Sequence, residues 1–345
     1  MKMKTPVVPA GLTYISDTTA GFTRGKKLKN GFQYFDIHGK ILKNESHLKR
    51  LKALVLPPAW TEVWISPLAK GHLQATGRDA RGRKQYRYHA DWSQARSEDK
   101  FSKMLIFAKK LPDIRAQIRR DLRQPGMGKR RVTASIVEIM EQTLIRIGNV
   151  EYAKENSSYG LSTMLNKHVT VKGAKIHFKF KGKSGKWHDV EVKDAKLAHI
   201  VHRCQELPGQ DLFEYLDDEG RVVNITSADV NEYLMQITKE HITAKDFRTW
   251  GGTVKAAVKL QELGPHTTKK DLKKSLLLAV EETSNHLRNT VSVCRKYYIH
   301  PHIFEAFETG VLFKVHSDFK RLKPKSPKGL HPEEIFTLKL LKQKI

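Results

Sequence analysis

Two hydrophobic periods alternate along the chain. Between residues 11 and 90 the β-prone runs are short: 11–16, 32–37, 63–66, 72–76 and 85–89. Gly25, Asn30-Gly31, Pro57-Pro58, Gly77 and the stretch Asp79-Ala80-Arg81-Gly82 separate them. One helical stretch, over 44–53, interrupts the series. This pattern predicts a small, partly open β domain. From Asp91 the period lengthens: 100–122 and 131–147 carry apolar residues at i, i+3, i+4, as in Ile136, Ile139, Met140, Leu144 and Ile147. A strand island follows. Residues 169–171, 175–180 and 187–192 alternate, and Lys181-Gly182-Lys183-Ser184-Gly185-Lys186 forms a turn, which predicts a hairpin with a Gly/Lys tip. A second short hairpin is predicted over 213–225, around the acidic turn Asp217-Asp218-Glu219-Gly220. Helices resume behind a Thr226-Ser227-Ala228-Asp229 cap and continue over 246–263, 269–287 and 301–308.

The elements predict an α+β chain: a β-rich N-terminal domain over 1–90, a larger mainly helical domain over 91–319 with an inserted β-hairpin, and a basic Lys/Pro-rich tail over 320–345. Charge then narrows the function. The 345 residues hold 63 Lys+Arg against 36 Asp+Glu, a formal net charge of +27. The first ninety residues hold 17 against 5 and the rest 46 against 31, so both parts are basic. Such a surplus points to a polyanion, nucleic acid before an anionic membrane. No apolar run approaches the ~18–20 residues of a membrane span, and no basic helix carries the aromatic face of an interfacial anchor. Only two cysteines occur, Cys204 and Cys294, which suits a reducing cytosol and excludes a disulfide scaffold.

Several chemistries lack their motifs. There is no Gly-x-x-x-x-Gly-Lys-Ser/Thr loop, no Gly-x-Gly-x-x-Gly, no His-Glu-x-x-His, and no carboxylate cluster suited to two Mg²⁺. Asp217-Asp218-Glu219 reads as a solvated turn. His286, His300 and His302 lack a further ligand at metal spacing. Chemistry in this chain is therefore expected from Arg, Lys, Tyr, His and Asn, with neither metal nor nucleotide cofactor.

Five segments, in order, carry a resemblance: Arg146-Ile147-Gly148-Asn149 with Tyr152; Lys181-Gly182-Lys183; Lys245-Asp246-Phe247-Arg248-Thr249-Trp250; Asn289-Thr290-Val291-Ser292-Val293-Cys294-Arg295; and Tyr298 followed by Ile299-His300-Pro301. Together they resemble the catalytic set of type IB DNA topoisomerases, in the small poxvirus-like and bacterial branch. The first domain joins the resemblance at Leu56-Pro57-Pro58-Ala59-Trp60 and along the stretch from Gln74 to Tyr86.

The resemblance implies a fold and a reaction. The two basic domains would form a C-shaped clamp around double-stranded DNA, acting as a monomer on the nucleoid in the cytoplasm. Tyr298 would attack one phosphodiester and form a 3′-phosphotyrosyl link, relaxing supercoils of either sign. Arg146 and Arg248 would hold the non-bridging oxygens, since a guanidinium stays charged and matches them geometrically. Lys183 would protonate the leaving 5′-oxygen, with Lys181 as the other candidate in the same crowded turn. Asn289 stands where much of the family has His; its amide can donate the same hydrogen bond without titrating. Tyr297 neighbours the nucleophile, but spacing from Asn289 and the following Ile-His-Pro favour Tyr298. Gln85, Tyr86 and Tyr88 in the first domain, with Tyr152 and Lys245 in the second, would contact DNA. Two alternatives remain at this point. A tyrosine recombinase shares the Arg, Lys, Arg and Tyr logic, although the His-x-x-Arg box and a helical first domain are missing. A non-catalytic basic DNA-binding protein would share only the charge.

Overall fold

The computed structural model describes residues 8–29, 31–322 and 329–343. The chain divides between Lys100 and Phe101 into two compact units. The first carries β1 (Phe22–Leu28), β2 (Gly31–Phe35), helix α1 (Glu45–Ala53), β3 (Thr61–Ile65), β4 (Leu73–Arg78) and β5 (Lys84–Tyr88). The strands form one antiparallel sheet in the order β2-β1-β3-β4-β5. Asn44 caps α1 by accepting from the His47 amide, and the helix buries Leu51 with Phe22, Tyr34, Val63, Ile65 and Ala75. Strand β1 is not predicted by the sequence pattern, while residues 11–16 contribute only the isolated Thr13–Gly71 bridge. The cause is Gly25, which breaks the β-prone run of β1; a Cβ there would lie 2.5 Å from the Phe35 ring, so pairing with β2 demands the glycine that hides the strand. Asn30 of the predicted Asn30-Gly31 turn lies outside the described residues.

The second unit is mainly helical. After α2 (Ala90–Asp121), α3 (Lys129–Thr143) and α4 (Val150–Asn156) comes the antiparallel sheet of β6 (Val169–Lys172), β7 (Lys175–Lys181) and β8 (Trp187–Lys193). Helix α5 (Ala195–Gln205) and the pair β9 (Glu214–Leu216) and β10 (Val222–Asn224) follow. The remaining helices are α6 (Ser227–Thr238), α7 (Ala244–Leu263), α8 (Lys269–Leu287), α9 (Val291–Tyr297), α10 (Pro301–Glu308), α11 (Val311–Leu322) and α12 (Pro332–Leu341). The fold is thus mixed α/β, with the small sheet first and the helices behind it. Inward residues of the β6-β7-β8 sheet, Ile176, Phe178 and Phe180, join Ile136, Ile139 and Met140 of α3 in one core.

Helix α2 begins at Ala90, beside the domain start expected at 91, and runs unbroken past the division of the two compact units at Lys100. Residues 320–345, read as a tail, include α12, which buries Glu334, Ile335, Phe336, Thr337 and Leu340. In sequence, Ile335, Leu338, Leu340 and Leu341 make only a weakly amphipathic pattern, with Lys339 among them.

Candidate active site

Arg146 lies just beyond α3, whose C-cap Leu144 adopts a left-handed φ of 53°. The Arg146 backbone is pinned by neighbours: its carbonyl accepts from the Leu161 amide at 2.9 Å, and that of Ile147 from the Ser162 amide at 2.6 Å. Gly148 turns the chain with φ +106°, and a Cβ on Gly160 would sit 2.5 Å from both the Arg146 carbonyl oxygen and the Gly148 nitrogen. The Arg-x-Gly spacing therefore records a close backbone crossing.

Arg248 is 3% exposed. Its Nη1 donates to the carbonyl of Leu144, and its Nη2 donates at 2.7 Å to the carbonyl of Leu287, the last residue of α8. Helix C-termini carry unpaired carbonyls and partial negative charge, so the ends of α3 and α8 hold the guanidinium in place. Burial, then the neighbouring Arg146, lowers the Arg248 pKa. The guanidinium lies 5.2 Å from the centre of the Tyr298 ring. Burial alone would raise the Tyr298 pKa, but Arg248 and Arg146 outweigh it and the phenol is shifted below its ordinary value of 10.0. Helix α7 packs close enough for this because Gly252 has no side chain: a Cβ there would lie 2.8 Å from the Tyr298 carbonyl oxygen.

Asn289 links Arg146 to the turn between β7 and β8. Its Oδ1 accepts from Arg146 Nη2, and its backbone carbonyl accepts from Lys186 Nζ at 2.6 Å. Lys183 rides on the turn between β7 and β8, shaped by left-handed Ser184 (φ 64°) and Gly185 (φ 75°). Behind the turn is His188, stacked on Phe180 with ring centres 4.6 Å apart; a Cβ on Gly182 would approach its Nε2 to 2.6 Å. Burial, with Arg146 and other nearby cations, pulls His188 down to about 4, so it is neutral at neutral pH.

These elements enclose a depression of about 370 Å³ lined by Arg146, Tyr152, Lys183, Lys245, Arg248 and Tyr298 among others. Its lining carries four cationic side chains and no carboxylate. Arg146 Nη1, Arg248 Nε and Asn289 Nδ2 are buried and have no acceptor among the described residues. A site rich in cations, with unspent donors and one acidified phenol, suits an anionic ester. Six of the residues expected from sequence thus line one depression, with Asn289 bonded to Arg146 behind it. Lys181 lines a different depression, and Tyr297 is 45% exposed, with Lys296 Nζ 5.3 Å from its ring centre. In the first unit, Tyr86 and Tyr88 stack with centres 6.0 Å apart on one face of β5, while Gln85 donates to Asp79 at 2.9 Å. Among the described residues no group of three His, Cys, Asp or Glu is arranged to hold a metal ion.

Sequence reasoning missed Lys186 as a tether, His188 and Gly252. The adjacent Gly251-Gly252 in mid-helix was a usable signal, because each glycine there costs roughly 1 kcal/mol relative to alanine and so implies a close approach.

Residues 31–79 match the model of the bacterial DNA topoisomerase IB N-terminal domain, and residues 89–324 match that of the eukaryotic DNA topoisomerase I catalytic core. The chain belongs to the type IB DNA topoisomerases. DNA topoisomerase 1B of Acanthamoeba polyphaga mimivirus is 30% identical over 289 residues, spanning 82% of this chain and 85% of the viral one. DNA topoisomerase 1B of vaccinia virus strain Copenhagen is 24% identical over 272 residues, spanning 75% and 79%. Among solved structures, the XerH site-specific recombinase bound to its difH substrate before cleavage aligns at 14% identity with a TM-score of 0.34. That alignment covers 59% of this chain and about half (52%) of the recombinase. So distant a match does not favour the recombinase reading over the topoisomerase family.

Proposed function

We propose that this type IB topoisomerase relaxes duplex DNA through a covalent link to Tyr298. The observation that carries the reading is the cation-lined depression in which the acidified phenol of Tyr298 lies beside Arg248. Tyr298 loses its proton to solvent, and its oxygen attacks a backbone phosphorus. The phosphorus–O5′ bond breaks, leaving a 3′-phosphotyrosyl ester and a free 5′-hydroxyl. Lys183 supplies the proton to the departing oxygen and takes it back on resealing. The spare donors of Arg146, Arg248 and Asn289 neutralise charge on the non-bridging oxygens, each such donor being worth on the order of 10²–10³ in rate. One phosphodiester is exchanged for another, so resealing needs no external energy.

The two units close around one duplex as a monomeric clamp, with Tyr86, Tyr88 and Gln85 of the first unit and Tyr152 and Lys245 of the second gripping the backbone and bases. The free end turns about the intact strand, releasing torsion of either sign. Neither metal nor nucleotide enters the cycle, and the protein works on nucleoid DNA in the cytoplasm. Incubation of wild type and Tyr298→Phe with a nicked suicide duplex tests this. Wild type is expected to yield a DNA-linked peptide containing Tyr298 by mass spectrometry. The variant is expected to bind DNA without forming the adduct; an adduct of normal yield in Tyr298→Phe rejects the assignment.

A further inference from the structure

Outside the catalytic depression, the most exposed large apolar side chain described in the second unit is Trp187, at 64%. It sits at the start of β8, directly opposite Lys181 at the end of β7. Strand alternation sends Phe178, Phe180 and His188 into the core and leaves Lys179, Lys181 and Trp187 outward. An indole is a large apolar surface, and the fold leaves this one uncovered.

Charge on this face is graded. Far from the turn it is neutralised: Lys175 pairs with Glu191 at 3.2 Å and His177 with Asp189 at 2.7 Å. Near the turn it is less so: Lys179 faces Asp189 across the strands, but that carboxylate is bonded to His177, and among the described residues no carboxylate forms an ion pair with Lys167, Lys179 or Lys181. These three lysines, His168 and Trp187 line a depression of about 470 Å³ whose lining contains no acid, within the ~300–1,000 Å³ span of ligand clefts. The depression shares a wall with the catalytic one, since the His168 ring packs on Tyr159 at 4.5 Å and Tyr159 lines the catalytic depression.

We propose that this face of the β7–β8 sheet binds single-stranded DNA, with Trp187 stacking on an unpaired base while Lys167, Lys179 and Lys181 hold the flanking phosphates. Exposed lysines alone would serve any polyanion. The indole adds selectivity, because bases inside a duplex are already stacked on each other and only an unpaired base offers a free face. The assignment does not depend on the Tyr298 chemistry.

The test measures binding of a labelled oligothymidine and of a blunt hairpin duplex to the full chain by fluorescence anisotropy, for wild type, Trp187→Ala and Trp187→Phe. Trp187→Ala is expected to weaken oligothymidine binding about 5- to 100-fold, the span of base–aromatic stacking. Duplex affinity and the yield of the Tyr298 adduct should stay unchanged. Trp187→Phe, which keeps an aromatic face, should retain most of the affinity. Lys179→Ser should lower the salt dependence of oligothymidine binding. Equal binding of oligothymidine by wild type and Trp187→Ala overturns the proposal, as does an abasic oligonucleotide that binds as tightly as oligothymidine. So does an equal loss on duplex and single strand, which would make Trp187 a general DNA contact. Failure of adduct formation in wild type would instead count against the proposed function alone.

Discussion

The ammonium of Lys186 donates a 2.6 Å hydrogen bond to the main-chain carbonyl of Asn289, more than a hundred residues away (a separation of 103). This bond ties the turn that carries Lys183 to the segment whose side chain accepts from Arg146. The proposed proton donor and the proposed phosphate-binding groups are thereby held in one frame, although they come from different elements.

Lys186→Met should loosen that frame. A charge-assisted hydrogen bond is worth ~1.5–3 kcal/mol, so single-turnover cleavage is expected to fall about 10- to 100-fold while DNA affinity changes little. Lys186→Arg should restore part of the rate. Unchanged cleavage in Lys186→Met would show that the tether is incidental.

The lowered pKa of Tyr298 has a visible titration. Wild type minus Tyr298→Phe, followed by tyrosinate absorbance, should show a midpoint below the ordinary 10.0. Tyr34, Tyr88 and Tyr233, pushed up by burial, should ionise later. Cleavage should rise with pH and level off below that value. The stability linkage has the same sign: the folded state releases this proton more readily than the unfolded one, so the Tyr298 contribution is absent at neutral pH. It appears as pH climbs through the folded pKa and is complete above the unfolded value. A midpoint at or above 10.0 would remove the electrostatic role assigned to Arg248 and Arg146.

Gly252→Ala places a methyl 2.8 Å from the Tyr298 carbonyl oxygen and 3.1 Å from Leu287 Cδ1. Neither backbone can retreat freely, because Arg248 is bonded to Leu287 and Thr253 Oγ1 accepts from the His300 amide at 3.1 Å. The substitution should cost ~1–3 kcal/mol by overpacking, seen in denaturant titration, and should slow cleavage more than it weakens DNA binding. A stabilised, fully active variant would contradict the close packing of α7 on Tyr298.

Helix α12 is held by one ion pair of consequence. Glu334 accepts from both Nη atoms of Arg115, at 2.7 and 2.9 Å, and from Trp250 Nε1 at 3.1 Å. Burial opposes its ionisation, yet Arg115 and the His331 amide keep its pKa below the ordinary value. Glu141 also meets Arg115, but burial pushes it up to about 7. The two carboxylates should therefore respond differently to removal. Glu334→Ala leaves a buried guanidinium short of its partner and should cost ~3–5 kcal/mol, whereas Glu141→Gln, which resembles the protonated form, should cost much less. Chemical denaturation of both variants measures the contrast; equal losses would reject it.

The sequence by itself determined the local elements and the chemistry they carry. Helical and strand periods located α3, α7, α8 and the β7–β8 pair, and the family resemblance carried by the segments holding Arg146, Lys183, Arg248, Asn289 and Tyr298 implied a reaction class without coordinates. These signals are legible because period and spacing are properties of neighbouring residues. Tertiary structure alone decided how the parts meet. It put the Arg248 guanidinium on the carbonyls ending α3 and α8, separated the lining of Lys183 from that of Lys181, and chose Tyr298 over Tyr297 for the depression. It also recovered β1, whose β-prone run Gly25 breaks until β2 supplies the missing surface, and packed the weakly amphipathic α12 into the second unit through Ile335, Phe336 and Leu340. Contacts across a hundred or more residues leave no periodic trace in the chain, because the energy that selects them comes from burying distant surfaces together.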